Sequence, residues 1–291
     1  MYYLMAIISA CAQGFTPILK KNYVKNLRKV KLSSDIYLLV NIAAAVVYFF
    51  ILAGGKVPLN IPTFLFSAVY AFLCFLSVMY SLIVFNHASV VYITVMTGSL
   101  ATIIPFLYEL IFTDVVFTPA KIVSVLCRVA AICVMLIFSD DKRISVKGML
   151  LCIISGVIDG LVGVVVRMYA SAPGVLADGS FFFWTNIITL PIIFINILRK
   201  TDVKELADDF KKIKPVNYVF ALGGMLVGNA VTFVSIEIMR HISGTVYSVI
   251  NGSITLIASA IISVAIYKED VSAKTYISVL ISIAAVVLSL I

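Results

Sequence analysis

Charged side chains are scarce in this chain. Asp, Glu, Lys and Arg make up 12% of its 291 residues, while 62% are hydrophobic. Soluble proteins average about 25% charged residues, so this sequence cannot cover a water-facing surface, and a soluble enzyme or binding domain is excluded. Other absences narrow the reading further. The chain has no Gly-rich phosphate loop, no His–Glu zinc spacing and no pair of carboxylates within one apolar block, so the usual signatures of catalysis and metal binding are missing. With no nucleotide-binding domain, any transport has to draw on a gradient. Cysteine occurs five times, always inside apolar blocks and never at metal-ligand spacing. An odd number excludes a complete disulfide framework, and these thiols read as small core hydrophobes. The net charge of +8 comes from short loops and forms no basic, aromatic-interleaved surface, so nucleic acid is not an expected partner. No basic stretch precedes the first apolar block, which reads as a retained span and not as a signal peptide.

What the chain has instead is apolar runs of roughly 18 to 25 residues, the length of a membrane-crossing helix. In lipid the backbone must satisfy its own hydrogen bonds, so these runs are expected to be helices. Ten are expected, at about 2–19, 36–54, 62–84, 88–112, 120–138, 146–168, 180–198, 216–238, 243–267 and 273–291. Gly54-Gly55, Pro58 to Pro62 and Lys214-Pro215 punctuate them. Residues 201–213 place Val203, Leu206, Phe210 and Ile213 at helical spacing among charges. They read either as a short amphipathic helix in the membrane interface or as a solvated linker.

The sequence is also written twice. Val123 to Cys133 (VSVLCRVAAIC) and Ile277 to Val287 (ISVLISIAAVV) correspond at an offset of 154, as do Thr97-Gly98-Ser99 with Asn251-Gly252-Ser253 and His87 with His241. Earlier in each half the offset is about 146. It pairs Ile7-Ile8-Ser9, Gly14 and Tyr23 with Ile153-Ile154-Ser155, Gly160 and Tyr169, and it pairs Asn41 with Asn186 at nearly the same spacing. The expected architecture is an all-α integral membrane protein of two five-helix repeats, 1–139 and 146–291, divided near Asp140-Asp141-Lys142-Arg143. An odd number of spans per copy inverts one copy relative to the other, a common plan of secondary transporters.

The whole chain resembles the drug/metabolite transporter superfamily, specifically its EamA-type ten-helix exporters. The turn Tyr267-Lys268-Glu269-Asp270-Val271 leading into YISVLISIAAVVLSLI is similar to the family's acidic turn before a small-residue-rich last helix, and Pro105 in span four sits where the family often has proline. The resemblance implies a carrier with both termini in the cytoplasm and basic residues after span two. Here that loop holds only Lys56, and loop charge points the other way. Seventeen Lys and Arg residues follow spans one, five, seven and nine, Lys20 to Lys31 among them, while Lys56, Lys121, Arg167 and Arg240 lie on the opposite side. Cytoplasmic loops carry the excess, which puts both termini outside. The four-helix multidrug relatives couple to protons through a glutamate in their first helix. The corresponding positions here are Cys11 and Val157, so that mechanism does not carry over.

Ionisable groups in mid-membrane are functional candidates by default. Asp159 lies near the centre of span six, with Gln13 as its repeat counterpart, and inverted repeats would bring both to the central axis. Asp159 is expected to bind an amine or carry a proton, or else to pair with Arg128 in span five. Asn41 and Asn186 fit a gate or an interhelical hydrogen bond equally well. Tyr92, Thr97, Asn229, Tyr247 and Asn251 would furnish the rest of a polar substrate site. Glu109 and Glu237, near helix ends, are expected to snorkel to the interface. The sequence therefore reads as a plasma-membrane carrier for a small polar metabolite such as an amino acid or amine, probing no cofactor or metal. Its partners would be its small-molecule substrate, the lipid bilayer and, as one coupling option, protons; duplication removes the need to oligomerise. A non-transporting membrane subunit or a lipid-intermediate flippase component is the alternative.

Overall fold

The apolar runs fold as the backbone's hydrogen-bonding demand requires. The structure, a computed structural model, describes residues 1–27, 30–85, 87, 90–137, 146–262, 265 and 273–289, and every extended element among them is an α-helix. In chain order these are α1 (Tyr2–Gln13), α2 (Thr16–Asn26), α3 (Ser33–Leu52), α4 (Ile61–Val84), α5 (Val90–Phe112), α6 (Pro119–Ile137), α7 (Val146–Ser171), α8 (Asp178–Leu198), α9 (Val203–Lys212), α10 (Pro215–His241), α11 (Gly244–Ile262) and α12 (Ala273–Ser289). Among the described residues, seven spans are long and apolar enough to cross a membrane: α1 with α2, α3, α4, α5, α7, α8 and α10. The expected divide at Asp140 to Arg143 and the turn Tyr267 to Val271 lie outside the described residues.

The first span is broken in its middle. Pro17 has no N–H to offer the carbonyl of Gln13, and Phe15 N bonds Ala12 O at 3.1 Å, three residues back instead of four. The hydrogen-bond ladder is therefore interrupted at Gly14 and Phe15, whose backbone stays helical, and the helix runs on from Thr16 to Asn26. Its counterpart α7 is continuous over 26 residues.

Small residues set the closest helix crossings. A Cβ on Gly156 would come within 2.8 Å of Leu100 on α5, and one on Gly160 within 2.6 Å of Ile104. This small-xxx-small pair lets α7 lie directly on α5. Ala10 and Gly14, which correspond to Gly156 and Gly160, stand where α1 meets α11, and Thr255 Oγ1 donates to Ala10 O at 3.1 Å. Elsewhere α4 packs on α7 and α8, α10 on α1, α2 and α3, α3 on α8, α5 on α11, and α6 on α12. The outer surface is apolar: Ile61, Leu65, Val69 and Phe72 line one exposed face of α4, as a lipid-facing surface demands.

Two buried clusters close the ends of the bundle. At one end Phe49, Tyr70, Tyr169, Phe181 and Phe182 pack together, with the Phe49 and Phe182 rings stacked at 4.9 Å. At the other end Tyr23, Leu32, Ile36, Tyr37, Ile193 and Ile197 form the core, and α9 covers it. The 201–213 segment is indeed helical, but its apolar side meets protein and not lipid. Leu206 and Ile213 are buried in that same cluster, and Asp209 accepts from Leu32 N at 3.2 Å. Glu205 pairs with Lys31 at 3.3 Å, and Tyr218 Oη donates to Phe210 O at 3.0 Å. The polar turn before α3 gives α9 partners that no periodicity count can foresee.

Candidate functional site

A cavity of about 420 Å³ lies among α1, α2, α3, α4, α5, α7, α8, α10 and α11. The break in the first span and the glycines of α7 position its charged groups. Gln13 ends α1, its Oε1 accepting from Thr16 Oγ1 at 3.4 Å, and Lys20 follows two turns later on the same face. On α7, Gly156 and Gly160 pack against α5 while Asp159, between them, turns into the cavity. Opposite stands α4, which presents Tyr70, Cys74, Ser77 and Ser81.

The Ser77 hydroxyl donates to Asp159 Oδ1. One turn further along α4, Lys20 Nζ donates to Ser81 Oγ at 3.2 Å, and Ser81 passes its own proton to Val78 O at 2.9 Å. Lys20 and Asp159 thus bring opposite charges into one cavity. Each is tethered to its own serine, and no salt bridge joins the two. Lys20 is a correction to the sequence reading, which placed it in a loop. Apolar content falls after Leu19, but the helix continues, and Lys20 is a wall residue. The signal available in the sequence was its spacing of seven from Gln13, two turns on one helical face.

Of the other expected site residues, Gln13, Thr97, Asn229, Tyr247 and Asn251 line this cavity together with Asp159, as do Asn41 and Asn186. Tyr92 does not; it is buried in a packed cluster with Val84, Phe85, Val95 and Met96, because its helical position turns it away from the cavity wall formed by Ile93, Thr94 and Thr97. Asn41 Nδ2 donates to Tyr37 O and Asn186 Nδ2 to Phe182 O, both at 2.7 Å. These bonds stay within each helix, four residues back, so the interhelical bond considered for this pair is not formed by their amide donors. Asn251 Oδ1 is buried without a hydrogen-bond partner.

Arg128 is completely buried and is not bound to Asp159. Its Nη1 donates to Ser282 Oγ at 3.1 Å, and its Nη2 reaches Gly98 O at 3.5 Å; among the described residues no carboxylate pairs with it. It stands behind the crossing of Gly98 and Gly252, where a Cβ on Gly252 would run into Nη2. Glu109 does not snorkel either, being fully buried. It accepts from Gly244 N at 2.6 Å and Thr245 N at 3.0 Å, with Arg167 Nε at 3.3 Å. A carboxylate on the exposed N–H groups that open α11 satisfies donors the helix cannot. Glu237 is half exposed and pairs with Arg240 at 2.9 Å.

No family model matches the sequence, and no curated protein matches it. The fold itself recurs among solved structures. One, described only as the crystal structure of a protein, superposes with a TM-score of 0.67 over 99% of this chain and 96% of the other, at 12% identity. At that identity the likeness shows a shared fold and nothing of function.

Proposed function

We propose that this protein is a ten-span secondary carrier of the drug/metabolite transporter type, moving a small polar metabolite across the plasma membrane by alternating access. The observation that carries the reading is the cavity: polar and charged groups from nine helices converge in the interior of an otherwise apolar bundle. Buried charge in a membrane is expensive, and a subunit that served only as a packing partner would have no use for it.

The duplicated architecture supports the same reading. Exchanging the two halves turns each principal helix contact into another that is also present: α5 on α7 becomes α11 on α1, α4 on α8 becomes α10 on α3, and α5 on α6 becomes α11 on α12. Residues that correspond in the repeat also meet. Arg128 bonds Ser282, its counterpart, and Gly98 faces Gly252. Such meetings are what a two-fold axis between the halves would produce, and they support the inverted-repeat reading. Counting α6, α11 and α12 with the seven long spans would give the proposed ten.

Transport is tested by reconstituting the protein in liposomes and measuring uptake of amino acids, amines and sugars, with and without a proton gradient. The expected result is uptake that Asp159→Asn abolishes while the variant remains monodisperse. If the well-folded parent moves none of these compounds, the carrier reading falls and the subunit or flippase reading takes its place.

A further inference from the structure

Two charges of opposite sign share the cavity, and α4 keeps them apart. Ser77 holds the Asp159 carboxylate and Ser81 holds the Lys20 ammonium. These serines are four residues apart on one helical face, about 6 Å at 1.5 Å per residue. A salt bridge needs less than 4 Å between N and O, and none forms between Lys20 and Asp159. Tethering is specific at both ends. The Ser77 hydroxyl gives its proton to the carboxylate. Ser81 has committed its proton to Val78 O, so it faces Lys20 as an acceptor. An ammonium offers three donors and a carboxylate two acceptor oxygens; the serines take one of each, leaving bonding capacity for a ligand.

Lone buried charges in such a setting are costly, and an ion pair that geometry keeps open is costlier than one allowed to close. The arrangement is balanced when something enters between the poles with the complementary order of charge. We propose that Lys20 and Asp159 form a split pair that selects a zwitterion, a substrate carrying an ammonium and a carboxylate on the same molecule. Asp159 takes the ammonium and Lys20 takes the carboxylate. In an α-amino acid the two groups flank one carbon, with nitrogen and carboxyl carbon about 2.5 Å apart by standard bond lengths. Each charge-assisted hydrogen bond adds about 2.8 Å, so an α-amino acid answers two poles standing about 8 Å apart, well beyond the reach of a direct salt bridge. A simple amine leaves Lys20 unanswered, and a simple carboxylate leaves Asp159 unanswered. Sites whose buried polar groups are left unpaired by an analogue discriminate strongly against it.

This inference rests on the carrier reading, and its test separates the two. Proteoliposomes of the parent are given three matched labelled sets: amino acids, the amines left by removing their carboxylates, and the carboxylates left by removing their amines. The parent is expected to take up the first set faster than either of the others, by about 10⁴-fold on the scale that unpaired polar groups impose. Lys20→Met is expected to raise amine uptake to the level of amino-acid uptake or above it, and Lys20→Arg to keep the parent's order. Equal uptake of amines and amino acids by the parent overturns the zwitterion assignment and leaves the carrier standing. Lack of uptake of all three sets by folded parent overturns the carrier reading itself. The parent's selectivity decides the question even if a Lys20 variant fails to fold.

Discussion

Single residues in this bundle act through groups far away in the chain. Glu109 is the clearest case, since its partners Gly244 and Thr245 lie in the other half of the sequence. Removing one member of a buried charge pair leaves the other uncompensated, at a cost of about 3 kcal/mol. Glu109→Gln is expected to lose about that much stability, read as an earlier transition in graded SDS unfolding, whereas Glu237→Gln, half exposed, is expected to lose little. Gly252 makes the second case. A methyl there meets the Arg128 guanidinium, so Gly252→Ala is expected to destabilise the fold, and Arg128→Ser to relieve part of that loss. A double-mutant cycle in the same unfolding assay should show a coupling of about 1–2 kcal/mol. Such contacts were not legible in the sequence. An acid near a helix end looks the same whether it reaches for solvent or for a helix N-terminus. Arg128 and Asp159 were matched by depth alone, which says nothing of the direction a side chain takes around its helix.

Elements were more legible than residues. The placement of the helices followed from apolar run length, because lipid leaves the backbone no alternative, and α9 followed from its 3.6-residue period. What covers α9 did not follow: a stripe of Leu206, Phe210 and Ile213 is equally suited to lipid and to a protein groove. The structure gives it the groove, secured by charge. Thr201 and Lys31 hold the Glu205 carboxyl below its ordinary range, so its contribution is present above the usual carboxylate pKa and is lost as pH falls through the lower folded value. Asp209 raises the Lys212 ammonium above its ordinary range, a contribution present below the usual lysine pKa and lost as pH rises through the folded value. Protection of the α9 amides, taken relative to their intrinsic exchange at each pH, is therefore expected to be greatest in the neutral range and to fall toward both extremes. Asp209→Ala, which removes the acceptor for Leu32 N, should lower it at neutral pH while leaving the long spans protected. Protection of α9 that ignores both the substitution and pH would show that its apolar contacts alone hold it.

At the scale of the whole molecule, the loop charges set the expected orientation. With Lys20 in the cavity wall, sixteen basic residues still follow spans one, five, seven and nine, against four on the opposite side. Under the rule that cytoplasmic loops carry the excess, α9 is expected to face the cytoplasm and both ends of the chain the exterior. A cysteine at Lys211, in a background without exposed thiols, should react with a membrane-impermeant maleimide only after the cells are opened. Reaction in intact cells would turn the molecule over and restore the orientation usual for the family that it resembles. Repetition is what suggested a general plan at this scale, because corresponding residues recur at fixed offsets. Departures from the repeat were invisible there, and Lys20, whose counterpart is Val166, is the main one.

The broken first span has a mechanical consequence. Its mate α7 is a rod of 26 residues, able to carry a push from one side of the bilayer to the other. Span one is two short levers on a joint at Gly14-Phe15: α1 leans on α10 and α11, and α2 on α10, α5 and α4. A span whose hydrogen-bond ladder is interrupted is expected to bend more readily than an unbroken one. Lys20 stands beyond the joint and Asp159 on the unbroken helix. A molecule held between them would couple any bend of span one to α7.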